Sequence, residues 1–319
     1  MVNSMTTSLD WAVVLAGGDG TRLQPLTQLL SGDARPKQFC RLLARQTLLG
    51  ATRARLCHLV APERTLYVVN AQHRAYYRDE LADTASRQLV EQPANRGTGA
   101  AVIYALSRLK RLDPSAVVGF FPADHHFDNV AAFHRVVTGA YWAARQDPTR
   151  IVMVGSTPTH PESDYGWIVR GGWQARPSVS ANFPVYSVES FIEKPREPLA
   201  LALMANGGLW NTFVMVGRVR TFQSLLAMAT PRLCMDFGPL VSSVGLASES
   251  VTAAAVYART LPVDFSRDVL AVQPERLSVL EAPSMGWTDL GRADRVLALR
   301  REMPVSKQGP PDEIRLAAS

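Results

Sequence analysis

Trp11-Ala12-Val13-Val14-Leu15-Ala16-Gly17-Gly18-Asp19-Gly20-Thr21-Arg22-Leu23 decides how this chain is read. An apolar run of strand length empties into a turn holding three glycines, and Arg22 stands just beyond it. Glycines let a backbone approach a ligand closely and let successive N–H groups face one concavity, which is how chains cradle phosphate. Downstream, Arg35-Pro36-Lys37-Gln38 brings a second cation, Lys37, after a proline. Two better-known phosphate loops do not fit. A P-loop requires Gly-Lys-Ser/Thr after its spacer, and a dinucleotide fingerprint needs a third glycine where Leu23 stands.

Outward from this turn, strand-like and helix-like stretches alternate. Strands are expected at 11–16, 65–70, 88–91, 116–122 and 151–155, with helical spacing over 47–58, 71–83, 98–112 and 130–146. That rhythm predicts an α/β fold: a Rossmann-like, mostly parallel sheet with helices on both faces. Ligands of such sheets bind beyond the carboxyl ends of the strands. The glycine loop, Asn70, Glu91-Gln92-Pro93 and Ala123-Asp124 all fall there. After 155 the rhythm changes, and strands at 164–171, 185–193 and 212–217 read as an antiparallel extension in the second half. A helix over 219–229, a strand over 277–282 and a helix over 289–302 close the fold. Residues 1–303 read as a single domain and 304–319 as a polar tail.

Composition narrows the function. The 319 residues are 47% hydrophobic and 19% charged, which describes an ordinary globular protein with ample core. No apolar stretch reaches membrane-spanning length, and no basic run is dense enough for nucleic acid. A formal charge of +6 suits anionic small substrates. Cys40, Cys57 and Cys234 lie far apart with no metal-ligand or disulfide spacing, so a cytoplasmic location is expected. Among 34 basic residues only Lys37, Lys110, Lys194 and Lys307 are lysines. Two of them, Lys37 and Lys194, sit in proline-punctuated motifs, where a compact point charge serves differently from a planar fork.

Asp124, in Phe121-Pro122-Ala123-Asp124-His125-His126, ends a strand and suits a hard cation or a helix cap equally well. Asp289, in Gly286-Trp287-Thr288-Asp289-Leu290-Gly291, could complete such a metal site or cap the last helix. His125 and His126 are adjacent and point apart on an extended backbone. Glu193-Lys194-Pro195, Trp210-Asn211-Thr212 and Tyr165-Gly166-Trp167 offer a carboxylate, an amide and a close backbone approach for a hydroxylated ligand.

In this order the motifs resemble those of sugar-1-phosphate nucleotidyltransferases, most closely the mannose-1-phosphate guanylyltransferases, over about residues 9–300. Leu-Ala-Gly-Gly-Asp-Gly-Thr-Arg-Leu and Arg-Pro-Lys-Gln-Phe carry the superfamily, and Gln92-Pro93-Ala94-Asn95-Arg96-Gly97-Thr98 favours the guanylyl branch. The resemblance implies the reaction of GTP with mannose 1-phosphate, assisted by Mg²⁺. Leu15, Ala16, Gly17, Gly18, Gly20 and Thr21 would cradle the triphosphate. Arg22 and Lys37 would be catalytic. Gln92, Asn95, Arg96, Gly97 and Thr98 would face base and ribose. Gly166, Glu193, Lys194, Asn211 and Asp264 would face the sugar phosphate, and Asp124 and Asp289 would hold the metal.

Four departures stand out. The segment between Thr27 and Pro36 is longer than the family pattern, Gly97 replaces an asparagine, and Asp264-Phe265 matches only in part. Phe213 stands where relatives carry a glycine. Two other readings keep the same motifs: another sugar phosphate or nucleotide, or a silent sugar-nucleotide-binding regulator. A homodimer is compatible with the sequence.

Overall fold

The strand Asp10–Leu15 (β1) is apolar on both faces and buried on both. Trp11 and Val13 join one core cluster, and Ala12 and Val14 the other. In the computed structural model, residues 10–175, 183–282 and 285–302 are described. After β1 come helices α1 (Gln24–Ser31) and α2 (Leu48–Leu56), strand β2 (Thr65–Asn70), α3 (Arg74–Tyr77), β3 (Leu89–Gln92), α4 (Gly97–Leu112) and β4 (Val117–Pro122). Then follow β5 (His126–Phe127), α5 (Val130–Gln146), β6 (Ile151–Ser156), β7 (Gly166–Ala175) and β8 (Val185–Glu193). The last third contains α6 (Glu197–Ala205), β9 (Leu209–Arg218), α7 (Val219–Ala229), α8 (Pro231–Ser243) and α9 (Glu249–Arg259). It ends with β10 (Leu277–Ala282), β11 (Trp287–Thr288) and α10 (Ala293–Glu302).

Nine strands form one sheet in the order β3-β2-β1-β4-β9-β6-β10-β8-β7, and β5 pairs with β11 apart from it. The first four run parallel, as do β6 and β10. The α/β fold with a mostly parallel sheet is therefore the one expected. Its second half differs in one respect. Strand β9 lies between β4 and β6, antiparallel to both, so the antiparallel element enters the middle of the sheet instead of lying beside it. The reason is burial: eight of its ten residues are buried, on both faces, which only a central position provides. Strand β7 pairs with β8 and also with the start of β9.

The two faces are covered separately. Helices α4, α7, α8 and α9 pack their buried residues over the cluster containing Val13 and Phe120, and α2 and α5 cover the other. A third, smaller cluster joins Leu23 and Leu26 to Leu42, Leu290 and Val296, tying α1 to α10. The long segment after Thr27 continues α1 for another turn, which Gly32 ends in the left-handed region at φ +74°.

Two expectations need correction. The helix expected over 71–83 contracts to Arg74–Tyr77. Glu80 and Asp83 instead turn toward α2, where Thr47 and Arg53 hydrogen-bond their carboxylates. The closing helix starts at Ala293 because Trp287 and Thr288 pair with β5. The expected tail over 304–319 lies outside the described residues.

Phe222 of α7 is fully buried with its ring against that of Phe120, centroids 4.9 Å apart. Phe222→Ala is expected to cost about 3–5 kcal/mol of stability in equilibrium urea unfolding.

Candidate active site

Because the parallel strands all end at one edge, their terminal loops face a common cleft of about 600 Å³. Strand β9 contributes from its beginning, since an antiparallel strand starts where its neighbours end. Asn211 is thereby registered opposite Gly155, near the end of β6. Glu193 reaches the same edge through its pairing with Gly166.

The glycine loop is held open by one side chain. Gln38 Nε2 donates to the carbonyls of Ala16 (3.0 Å) and Gly18 (2.7 Å). Those carbonyls are occupied, whereas the N–H groups of Gly17 to Gly20 donate to nothing among the described residues. The loop's far side is braced as well: Asn95 Nδ2 donates to Asp19 Oδ2 (2.8 Å), and His73 Nε2 lies 3.4 Å from Asp19 Oδ1. What remains is a run of unpaired donors in a loop that borders the cleft, with no Cβ above Gly18: a side-chain atom added there would meet nothing within 4 Å.

Lys37 sits at the centre of the charged part. Its Nζ is 3.2 Å from Asp124 Oδ2 and donates to the carbonyls of Asp289 and, at 3.4 Å, Leu290. The residue is only 9% exposed. An ammonium buried so far needs these partners, since an unpaired one would cost several kcal/mol. Asp289 Oδ1 accepts from Gly291 N (2.8 Å) and Arg295 Nη1 (2.9 Å). Burial pushes the Asp289 carboxyl up, but Lys37 and its other cationic and N–H neighbours outweigh that and hold it below the usual range. Trp287 Nε1 donates to His125 Nδ1 (3.1 Å), and an indole can only donate. His125 is thus a neutral ring with its proton on Nε2, as its burial also favours.

Asp124 meets Lys37 through its carboxylate and Asp289 through its main-chain carbonyl, both residues line the cleft, and Asp289 Oδ2 has no hydrogen bond among the described residues. Mg²⁺ is commonly held by one or two carboxylates with substrate phosphates completing its shell. The pair fits that role. Among the described residues no group of three or more His, Cys, Asp or Glu side chains forms a closed cage.

Other residues in and around the cleft are polar or strained. Burial raises the Glu193 carboxyl against the pull of Lys194, whose Nζ is 3.1 Å away. Lys194, Phe213 and Leu290 adopt positive φ of 49°, 58° and 50°, the only non-glycine residues to do so among those described. Each costs about 1–2 kcal/mol. Each is held by a hydrogen bond from its own N–H, to Tyr165 O (3.1 Å), Asn211 Oδ1 (3.0 Å) and Thr288 Oγ1 (3.3 Å) respectively. Phe213 therefore keeps the backbone shape that glycine would supply, and adds a ring to the cleft wall.

The residues expected from sequence are mostly brought together. Leu15, Gly17, Gly18, Arg22, Gln92, Asn95, Gly97, Thr98, Asp124, Gly166, Glu193, Lys194, Asn211, Asp264 and Asp289 all line the cleft. Gly20, Thr21 and Lys37 line a smaller recess of about 230 Å³ that shares Arg22 and Asp289 with it. Ala16 is buried beneath the loop. Arg96 is placed otherwise: its Nε donates to Tyr257 O (2.8 Å), and it does not line the cleft. Sequence reasoning passed over Arg295, which ties Asp289 to Glu162 and lies 4.8 Å from the Tyr165 ring centre. Its place on an ordinary amphipathic helix gave no signal. Gln38 did carry one, as part of the Pro-Lys-Gln run.

Comparison with known proteins agrees with this geometry. The Nucleotidyl transferase family model matches residues 11–303. A mannose-1-phosphate guanylyltransferase of Klebsiella pneumoniae is 29% identical over 300 residues, covering 93% of this chain and 60% of that protein. An Escherichia coli protein of the same name is 29% identical over 282 residues, 88% of this chain and 57% of its own length. The chain thus spans about three fifths of the length of these curated relatives. A crystal structure described as mannose-1-phosphate geranyltransferase from Thermus thermophilus superposes with a TM-score of 0.76 at 30% identity, covering 91% of this chain and 79% of that one. The chain belongs to the nucleotidyl transferase family, among relatives named mannose-1-phosphate guanylyltransferases.

Proposed function

We propose that this chain transfers a guanylyl group from GTP to mannose 1-phosphate, with residues 1–303 acting as one nucleotidyltransferase domain. One observation carries the reading: the Lys37 ammonium, two carboxylates and a row of free loop N–H groups meet at one edge of the sheet. A phosphate oxygen of the sugar phosphate attacks the α-phosphorus in line. The bond to the β-phosphate bridging oxygen breaks, and pyrophosphate leaves with that electron pair. The nucleophile is already ionised near neutral pH, so positioning and charge neutralisation are the main demands. No base is needed, in keeping with a neutral His125 whose Nδ1 is already engaged.

The chain's residues divide the work by place. The N–H groups of Gly17 to Gly20 bind triphosphate oxygens, and Arg22, with no ion pair among the described residues, neutralises the departing pyrophosphate. Lys37 places a fixed charge where negative charge builds at the α-phosphoryl group. Asp124 and Asp289 would hold Mg²⁺, which would supply further charge neutralisation there. Gln92, Asn95, Gly97 and Thr98 form the wall for base and ribose. Arg96 supports that wall through α9. Glu193, Lys194, Asn211 and Asp264, beside the open backbone of Gly166, accept and donate bonds to the sugar phosphate. No helix among the described residues is long and apolar enough to cross a membrane, and three free cysteines suit a reducing cytoplasm.

Turnover measured with GTP, ATP, UTP and dTTP against mannose 1-phosphate and glucose 1-phosphate tests the substrates. GTP with mannose 1-phosphate is expected to exceed every other pair and to stop when EDTA removes Mg²⁺. Equal or faster turnover of another pair would replace the proposed substrates, and no turnover of any pair would favour the silent regulator.

Two glycines separate binding from folding. Gly97 has φ +79°, and a Cβ there would stand 2.3 Å from Val263 O. Gly97→Ala is expected to lose about 2 kcal/mol or more in urea unfolding. Gly18→Ala, with open space around it, is expected to change stability by less than about 1 kcal/mol. The same substitution should weaken nucleotide binding by about tenfold or more in calorimetry, roughly 1.4 kcal/mol.

A further inference from the structure

Behind the Lys37 turn lies a second cavity, of about 880 Å³, which shares no lining residue with the reaction cleft. It exists because of the long segment after Thr27. The end of α1, Arg35, Tyr76, Asp79 and Glu80 all line it. Arg35 is committed to the wall: it pairs with Asp33 and lies 5.3 Å from the Tyr76 ring centre. Arg41 and Arg45 are different. Both are exposed at the cavity, and neither makes a hydrogen bond or ion pair among the described residues.

Arg45 has no partner among the described residues and Arg41 is held only by the field of Glu80, and a guanidinium can take a phosphate group through two parallel N–H bonds. The carboxylates in the same lining argue against a bare inorganic ion. Asp79 and Glu80 repel an anion but accept bonds from hydroxyl or amino groups. The volume is in the range of small-molecule sites. A ligand that carries both a phosphate and polar donors answers both kinds of group. We infer that this cavity is a second binding site, for a small phosphate ester such as a nucleoside phosphate or a sugar phosphate. It does not depend on which nucleotide the reaction cleft takes.

The site adjoins the reacting centre through packed side chains. Phe39, which lines it, follows Lys37 by two residues in the same turn. The Phe39 ring stacks on Tyr76 (6.2 Å) and meets the edge of His73 (6.1 Å), and His73 contacts Asp19 in the glycine loop.

Calorimetric titration of the full chain with GDP, mannose 1-phosphate and inorganic phosphate tests the inference, comparing wild type with Arg41→Gln/Arg45→Gln. At least one ester is expected to bind with two equivalents per chain in wild type and one in the double variant, and which ester does so names the source. Inorganic phosphate is expected to show no second equivalent. The inference is overturned if neither ester gives an equivalent that the double variant loses, or if inorganic phosphate fills that equivalent equally well. Arg45→Glu alone repeats the test with one exposed change, should the double variant fold poorly. Failure of the cleft assignment would look different: the cleft equivalent would vanish from both proteins while the arginine-dependent one remained.

Discussion

The site depends on one buried ammonium. Lys37 Nζ draws together the carboxylate of Asp124 and the carbonyls of Asp289 and Leu290, from segments that are distant in the chain. Without it, the Asp124 carboxylate would lose its cationic partner and two carbonyls would lose their donor. The positive φ of Leu290 belongs to the same constraint, because that backbone shape accompanies both carbonyls facing the lysine. The energy stored there is offset by the charge interactions it permits.

Around this centre the fold separates rigid and open parts. Gln38, the neighbour of Lys37, fastens the glycine loop by its carbonyls, so one short turn sets both the cation and the anion cradle. On the far side Arg295 fixes Asp289 from α10, while the smaller core cluster anchors α10 to α1. The segments bearing Lys37, Asp289 and the glycine loop are thus braced from below, whereas Arg22 stays exposed beside the opening. That division suits phosphoryl transfer, in which preorganised charge matters more than proton movement.

Much of this was legible in the sequence because the signals were local. Apolar strands ending in glycine or aspartate located the edge where the cleft lies, and the unbroken apolar run along 11–16 marked a strand buried on both faces. Contacts between distant segments left weaker traces. Periodicity identifies a strand at 212–217 but not its partners, so the central place of β9 could not be read from it. Arg96 looked like a ligand residue because it stood inside a motif, yet α9, far along the chain, supplies the carbonyl that takes its guanidinium. Phe213 read as a departure from pattern, and only its φ explains how a phenylalanine keeps a glycine's geometry. The helix over 71–83 shortened because Glu80 and Asp83 found partners on α2, a tertiary preference that overrides local propensity.

Single-turnover kinetics of Lys37→Met with saturating GTP and Mg²⁺ test the central claim most directly. The account predicts that the chemical step slows by about 10²–10³-fold, equivalent to a few kcal/mol of barrier, while the variant still binds nucleotide. A single-turnover rate equal to that of the unaltered protein would contradict it, because the charge placed at the junction of these segments would then do no chemistry.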